Sequence, residues 1–127
     1  FLMIRRPPRS RLDRSSAASD VYKRQLQKWF RELLIDVLEI HEEDIESRSM
    51  GAGGEDLIMA RAARTKFPYS IECKNQEKVN IWESYKQAET NSKDYEPILV
   101  IKRNNHKPLV LVDADYFVNL HKEKHND

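Results

Sequence analysis

The sequence predicts a single α/β domain in which a mixed β-sheet of about four strands is flanked by helices. Three observations support this fold class. The 127 residues suffice for one modest hydrophobic core. An amphipathic repeat with helical spacing opens the region after residue 25, and short alternating or apolar segments typical of strands follow it. The segments occur in the order helix, strand, strand, helix, strand, strand, helix, which indicates an α/β domain.

The first helix is predicted over residues 26–40. Its apolar residues recur at the spacing of one helix face, namely Leu26, Trp29, Phe30, Leu33, Leu34, Val37 and Leu38. We expect this face to pack against the sheet, with Trp29 in the core. Residues 47–54 contain all three glycines of the chain and are therefore predicted to form a loop or tight turn.

Two strands are predicted after the glycine-rich turn, over residues 55–60 and 69–74. In the second strand, Tyr69, Ile71 and Cys73 alternate with Ser70, Glu72 and Lys74. This period of two indicates a strand with one polar face. A basic connection over residues 61–68 joins the two segments, and we expect them to pair as a hairpin.

The second half of the chain predicts a helix, two strands and a final helix. The helix covers residues 79–92, with Trp82 interpreted as a core residue. Apolar strands follow over residues 97–102 and 109–112, and the terminal helix covers residues 115–121. Residues 122–127 are predicted to be a solvated tail.

Residues 1–25 differ from the rest of the chain in composition. They hold seven basic and two acidic residues, a Pro-Pro pair and a Ser/Ala cluster, which is typical of a disordered tail. The stretches FLMIRRPPRS and SSAASDVYKRQ also resemble translated sequencing-adapter DNA joined to reading frames in assembled environmental data. We interpret the segment as an artefact, with a basic nucleic-acid arm as the alternative. This interpretation implies that the natural start before Leu26 is lost.

Charge and composition exclude some classes of protein. After residue 25 the chain has 15 basic and 19 acidic residues, which argues against a broad basic surface for passive DNA binding. No apolar run approaches the roughly 18 residues that span a bilayer. Cys73 is the single cysteine, so an internal disulfide is impossible. We therefore expect a cytoplasmic protein without membrane partners.

Two carboxylates and a lysine are predicted to converge at one end of the sheet. Asp56 lies at the start of one predicted strand. Glu72 and Lys74 share a face of the next strand, because residues two apart in a strand point the same way. Carboxylate oxygens suit Mg²⁺, which keeps several waters and recruits phosphate oxygens. A lysine beside this ion can orient a water or stabilise charge on a phosphate, as metal-assisted hydrolysis requires.

The order of these motifs resembles the PD-(D/E)XK nuclease superfamily, and within it the Holliday-junction-resolvase-like branch and related small phage nucleases. The resemblance is carried by GGEDL at residues 53–57, IECK at residues 71–74 and the following helix with Gln87. Sixteen residues separate Asp56 from Glu72. The family's Pro-Asp is Glu55-Asp56 in this chain.

The resemblance implies a restriction-endonuclease-like core over residues 26–121 and a Mg²⁺-dependent endodeoxyribonuclease, for which Mn²⁺ can substitute. Asp56 and Glu72 would bind the metal together with the carbonyl of Cys73, and Lys74 would be the catalytic lysine. Branched DNA is one implied substrate. Because cutting a junction needs two sites, the resemblance also implies a homodimer. If the protein is phage-encoded, we expect it in the host-cell cytoplasm.

Further residues are assigned supporting roles. Gln76 and Gln87 would be polar residues near the site, and Glu32 is the candidate for an acidic residue that relatives often carry on the first helix. A basic cluster on the connection between the two strands is predicted to contact DNA phosphates; it consists of Arg61, Arg64 and Lys66.

Each motif also has a purely structural interpretation. Glu72 and Lys74 can form a solvated strand face with an exposed ion pair, which contributes little to stability. Asp56 after glycines can be a turn residue, and the basic cluster can be a solvated loop. The alternative functions are a non-catalytic DNA-binding or assembly module with the same fold, or another α/β domain in which these residues are incidental.

Overall fold

A computed structural model describes residues 7–49 and 53–122 of the chain. Within these ranges it contains four α-helices, five strands and one 3-10 helix over Glu42–Asp44. The helices are α1 (Pro7–Leu38), α2 (Arg61–Lys66), α3 (Ile81–Asn91) and α4 (Ala114–Leu120). The strands are β1 (Ile45–Ser47), β2 (Leu57–Met59), β3 (Tyr69–Asn75), β4 (Glu96–Lys102) and β5 (Leu109–Leu111). The α/β class predicted from the sequence is confirmed.

The strands form two small sheets, so the prediction of one sheet with about four strands is wrong. β3 and β4 are parallel and β5 is antiparallel to β4. β1 and β2 form a separate antiparallel pair. The predicted hairpin between residues 55–60 and 69–74 is also wrong, because β2 pairs with β1 and α2 separates β2 from β3. Arg, Ala and Lys in α2 favour a helix, and Pro68 disfavours its continuation through Phe67.

Helix α1 begins at Pro7, well before the predicted start at Leu26. Proline is tolerated in the first helical turn, where backbone N–H groups have no intrahelical acceptor. The helix ends at Leu38, and Glu39 follows in the left-handed region with a φ of 56°. The interpretation of residues 1–25 as an artefact concerns their origin and stays a prediction.

The predicted apolar face of α1 is only partly buried. Leu26, Phe30 and Leu34 are buried against the sheet, whereas Trp29 is 44% exposed. Trp29 lies on the flank of the buried stripe, so the prediction that it is a core residue is wrong. The prediction is also wrong for Trp82, which is 85% exposed because it lies about 200° around α3 from the buried Ser84.

The three-stranded sheet packs between α1 and α3. Alternation along the strands places Ile71, Cys73 and Val100 on the face that joins the core with α1. Glu72 and Leu99 are register partners on the opposite face, where α3 packs. The parallel strands β3 and β4 are connected through α3, so the C-terminal end of β3 and the N-terminus of α3 lie together.

The predicted elements of the second half are confirmed with small shifts of their ends. Asn80 caps α3, since its side chain accepts a hydrogen bond from the Glu83 N–H at 3.1 Å. Asp113 caps α4 in the same way through the Tyr116 N–H at 2.9 Å. In the ranges described above, no helix has both the length and the apolar character needed to cross a membrane.

We predict that Leu99→Ala lowers the free energy of unfolding by about 2–5 kcal/mol, because it leaves a cavity in the fully buried centre of β4. Urea denaturation followed by circular dichroism would measure the change. Leu109→Ala in β5 is the matched control, since Leu109 is 54% exposed and should lose less than about 1 kcal/mol. Equal losses in the two variants would contradict this packing.

Candidate functional site

Asp56 is fixed along the free edge of β3. Its backbone N–H donates to the carbonyl of Ile71 at 2.8 Å, and its Oδ2 accepts a hydrogen bond from the Cys73 N–H at 2.7 Å. Backbone and side chain therefore replace part of a neighbouring strand. The residue is buried, with 7% of its surface exposed, and its position beside β3 directs the other carboxylate oxygen, Oδ1, toward α1.

Glu72 lies in the middle of β3 and is 2% exposed. Burial raises the pKa of Glu72, and the negative charge of Asp56 raises it further. The nearby ammonium of Lys23, a hydrogen bond from Asn91 to Oε1 at 3.3 Å and the charge of Lys74 act in the opposite direction. The ionised pair of carboxylates is thus costly unless a cation accompanies it.

A single ammonium contacts both carboxylates. Lys23 on α1 places Nζ 3.3 Å from Oδ1 of Asp56 and 3.9 Å from Oε2 of Glu72. The two carboxylates therefore lie within reach of one cation, as the sequence predicts for the candidate metal site. Lys23 itself belongs to residues 1–25, which the sequence analysis sets aside, and so sequence reasoning missed its position at the site.

Gln27 is a buried polar residue that sequence reasoning also missed. It lies one helical turn after Lys23 and is 1% exposed, and neither atom of its amide has a hydrogen-bond partner among the described residues. Such an orphaned group costs about 1–3 kcal/mol unless water or an ion's water shell satisfies it. The available signal was a glutamine between Leu26 and Phe30, on a helix face that is otherwise apolar.

Lys74 lies two residues after Glu72 on the same face of β3 and is half-buried. It lines a polar cavity of about 300 Å³ together with Gln76 and Gln87. The structure therefore brings together the candidate lysine and both glutamines that the sequence assigns to supporting roles.

Glu32 lies away from this group. It is exposed on α1 and follows Lys23 by nine residues, which is half a turn out of phase with the side of the helix that faces Asp56.

The predicted DNA-contacting cluster is mostly engaged within the domain. Arg64 donates to Oε2 of Glu55 at 2.7 Å and to the carbonyl of Tyr69 at 3.0 Å, and it lies over the ring of Tyr95. Lys66 donates to a backbone carbonyl at 2.7 Å. Arg61 is exposed at the start of α2, so its side chain faces solvent.

The donor set is compatible with Mg²⁺. Two carboxylates and a backbone carbonyl offer hard oxygen ligands, and Mg²⁺ takes few ligands from the protein. Burial raises the pKa of the Cys73 thiol well above its ordinary value, so only the carbonyl of Cys73 suits this ion. In the part of the chain that the structure describes, no group of three or more His, Cys, Asp and Glu side chains could hold a metal by itself.

Comparison with known proteins adds no relative. No protein-family model, curated protein or solved structure matches the chain. The functional argument therefore depends on the residues and on their geometry.

We predict that Glu72→Gln raises the melting temperature at pH 7 by roughly 2–5 °C, because it removes a buried charge beside Asp56. The pKa of Glu72 is raised in the folded state, so its contribution to stability is present below pH 4.5 and is lost as pH rises through the raised value. The increase in melting temperature that Glu72→Gln causes should therefore vanish near pH 4. Thermal unfolding across this pH range would test it, with the exposed Glu46→Gln as control. Destabilisation at pH 7 would contradict it.

We also predict that Lys23→Met increases the affinity for Mn²⁺ by about 3- to 10-fold, because the ammonium and the metal compete for the same carboxylate oxygens. Isothermal titration calorimetry would measure the affinity. Lys28→Met is the matched control, since Lys28 is exposed on the same helix. Unchanged affinity in Lys23→Met would mean that the metal does not bind at this pair.

Proposed function

We propose that this chain is a Mg²⁺-dependent endodeoxyribonuclease that hydrolyses DNA phosphodiester bonds, with branched DNA as one candidate substrate. The observation that carries the proposal is that the buried carboxylates of Asp56 and Glu72 converge on one cation position, which lies 3.3 Å from Oδ1 of Asp56 and 3.9 Å from Oε2 of Glu72. A metal-dependent phosphodiesterase requires such a position, at which two carboxylates can bind the same cation. Lys74 on the same face of β3 supplies the third part of the constellation.

In this proposal Asp56 and Glu72 hold the ion, with the carbonyl of Cys73 as a further ligand. Bound Mg²⁺ supplies Lewis-acid activation of the scissile phosphate and of the attacking water. Asp56 is suited to this role because its Oδ2 is fixed by the Cys73 N–H, which leaves Oδ1 to contact a cation, as it contacts the ammonium of Lys23. The hydrogen bond from Asn91 orients the carboxylate of Glu72 in a comparable way.

Lys74 would stabilise negative charge on the phosphate and orient the attacking water. Burial raises the pKa of Glu72 and the charge of Lys74 opposes this rise, so the two side chains are within electrostatic reach. Gln76 and Gln87 lie on the wall of the adjoining cavity, where their amides would hold the strand by hydrogen bonds. If the substrate is a four-way junction, two such sites are needed, and the active form would be a homodimer.

The second candidate is a non-catalytic DNA-binding or assembly module. The observation that favours it is the neutralisation of the carboxylate pair by Lys23, which gives the pair a structural role without metal. The two functions differ in whether a divalent cation displaces this ammonium.

The deciding experiment is cleavage of a labelled four-way junction, a linear duplex and a single strand in the presence of Mg²⁺ or Mn²⁺. We expect cutting that requires the metal and falls at least about 100-fold in Lys74→Ala and in Asp56→Asn, because each removes a group that acts in the transition state. The preferred DNA would define the substrate.

Matched controls separate loss of chemistry from loss of charge. Lys86→Ala and Asp36→Asn change exposed residues on α3 and α1 and should cut like the unchanged protein. DNA binding without cleavage by a folded, metal-binding protein would reject the nuclease and favour the binding module.

A further inference from the structure

A polar cavity lies outside the C-terminal end of β3, where α3 begins. Its volume is about 300 Å³, and Lys74, Lys78 and Ser84 are among its lining residues. In α/β proteins, ligands bind in the crevice outside the carboxyl ends of parallel strands, and β3 and β4 are such a pair. The position of the cavity therefore suits a ligand of this chain.

The charges around the cavity favour an anion. Lys74 and Lys78 contribute two ammonium groups, and Glu83 contributes one carboxylate, so the lining has one net positive charge. The cavity lies beside the N-terminus of α3, where the helix dipole adds positive potential. One net positive charge matches a phosphodiester, which carries one negative charge, better than a terminal phosphate, which carries about two.

Ser84 adds a hydroxyl to this lining. The residue is 8% exposed and borders the cavity. With the amides of Gln76 and Gln87 on the same wall, the cavity offers several neutral donors beside the two ammonium groups. Phosphate oxygens are acceptors that such donors satisfy.

We propose that this cavity binds a backbone phosphate of the nucleic-acid strand, next to the phosphate held at Asp56 and Glu72. The inference rests on the proposed nuclease function and adds to it the path of the substrate strand. Lys74 connects the two places, because it lines the cavity and shares a strand face with Glu72. The strand passes from the carboxylate pair over Lys74 toward Lys78, and Glu83 opposes its binding.

The test measures binding apart from cleavage. Fluorescence anisotropy of a labelled duplex is recorded in the Asp56→Asn background, in EDTA, between 50 and 200 mM KCl. Adding Lys78→Ala should weaken binding at 50 mM KCl and remove about one phosphate contact. The loss of affinity over this salt range then becomes about 3.5-fold smaller. Glu83→Gln should tighten binding, and Lys86→Ala, which changes an exposed lysine outside the cavity lining, should leave both quantities unchanged.

A second arm locates the phosphate. Duplexes that carry one uncharged methylphosphonate linkage, each at a different position, are compared for binding. In the duplex whose uncharged linkage replaces the phosphate bound by the cavity, Lys78→Ala should cause no additional loss of affinity. An effect of Lys78→Ala equal to that of Lys86→Ala, or the absence of any such linkage, would overturn the phosphate site. Competition by inorganic phosphate at matched ionic strength would overturn the assignment to a phosphodiester.

These outcomes are separate from those of the nuclease proposal. A Lys78-dependent contact in a protein that cuts no DNA would uphold the phosphate site and reject the nuclease. Metal-dependent cutting in which Lys78 has no role would uphold the nuclease and reject the phosphate site.

Discussion

The hydrogen bonds between Asp56 and the edge of β3 determine how the rest of the structure is arranged. They attach the two-stranded sheet to the three-stranded sheet, since the Asp56 N–H and carboxylate bond to Ile71 and Cys73 just before β2 begins. The same bonds place a carboxylate beside Glu72. The side chain of Asp56 thus links the two sheets and also supplies one of the two carboxylates of the candidate site. A change at Asp56 would therefore affect both the fold and the site.

The surrounding residues only partly compensate the negative charge of the carboxylate pair. Glu72 is nearly inaccessible to water. The ammonium of Lys23 lies closer to the carboxylate of Asp56, at 3.3 Å, than to that of Glu72, at 3.9 Å. Buried polar atoms without partners occur close by in sequence, in the amide of Gln27 and in Oε1 of Glu55. Native interiors satisfy most such groups, so exceptions of this kind are typical of functional sites.

Patterns in the sequence predicted elements whose stability is local or whose periodicity is strong. The alternation in residues 69–74 and the apolar runs after residue 96 correspond to β3, β4 and β5. Pairing was less predictable, because β1 and β2 have three residues each and their pairing depends on contacts with α1 and β3. The burial of Trp29 and Trp82 was wrongly predicted for a related reason. Hydrophobicity predicts burial on average, whereas the orientation of each helix decides which side chains are covered.

For the candidate site, short-range spacing predicted Asp56, Glu72 and Lys74, but it could not predict the long-range contacts from α1. Lys23 and Gln27 approach from a helix far away in the chain, and the basic residue Arg64 is used within the fold. The cation requirement follows from the geometry alone. Burial and the charge of Asp56 raise the pKa of Glu72, so positive charge beside the pair, from an ammonium on α1 or from a divalent ion, would favour the ionised form of Glu72. In the proposed function a divalent ion would use the same carboxylate oxygens as Lys23, so its binding would displace the ammonium from them.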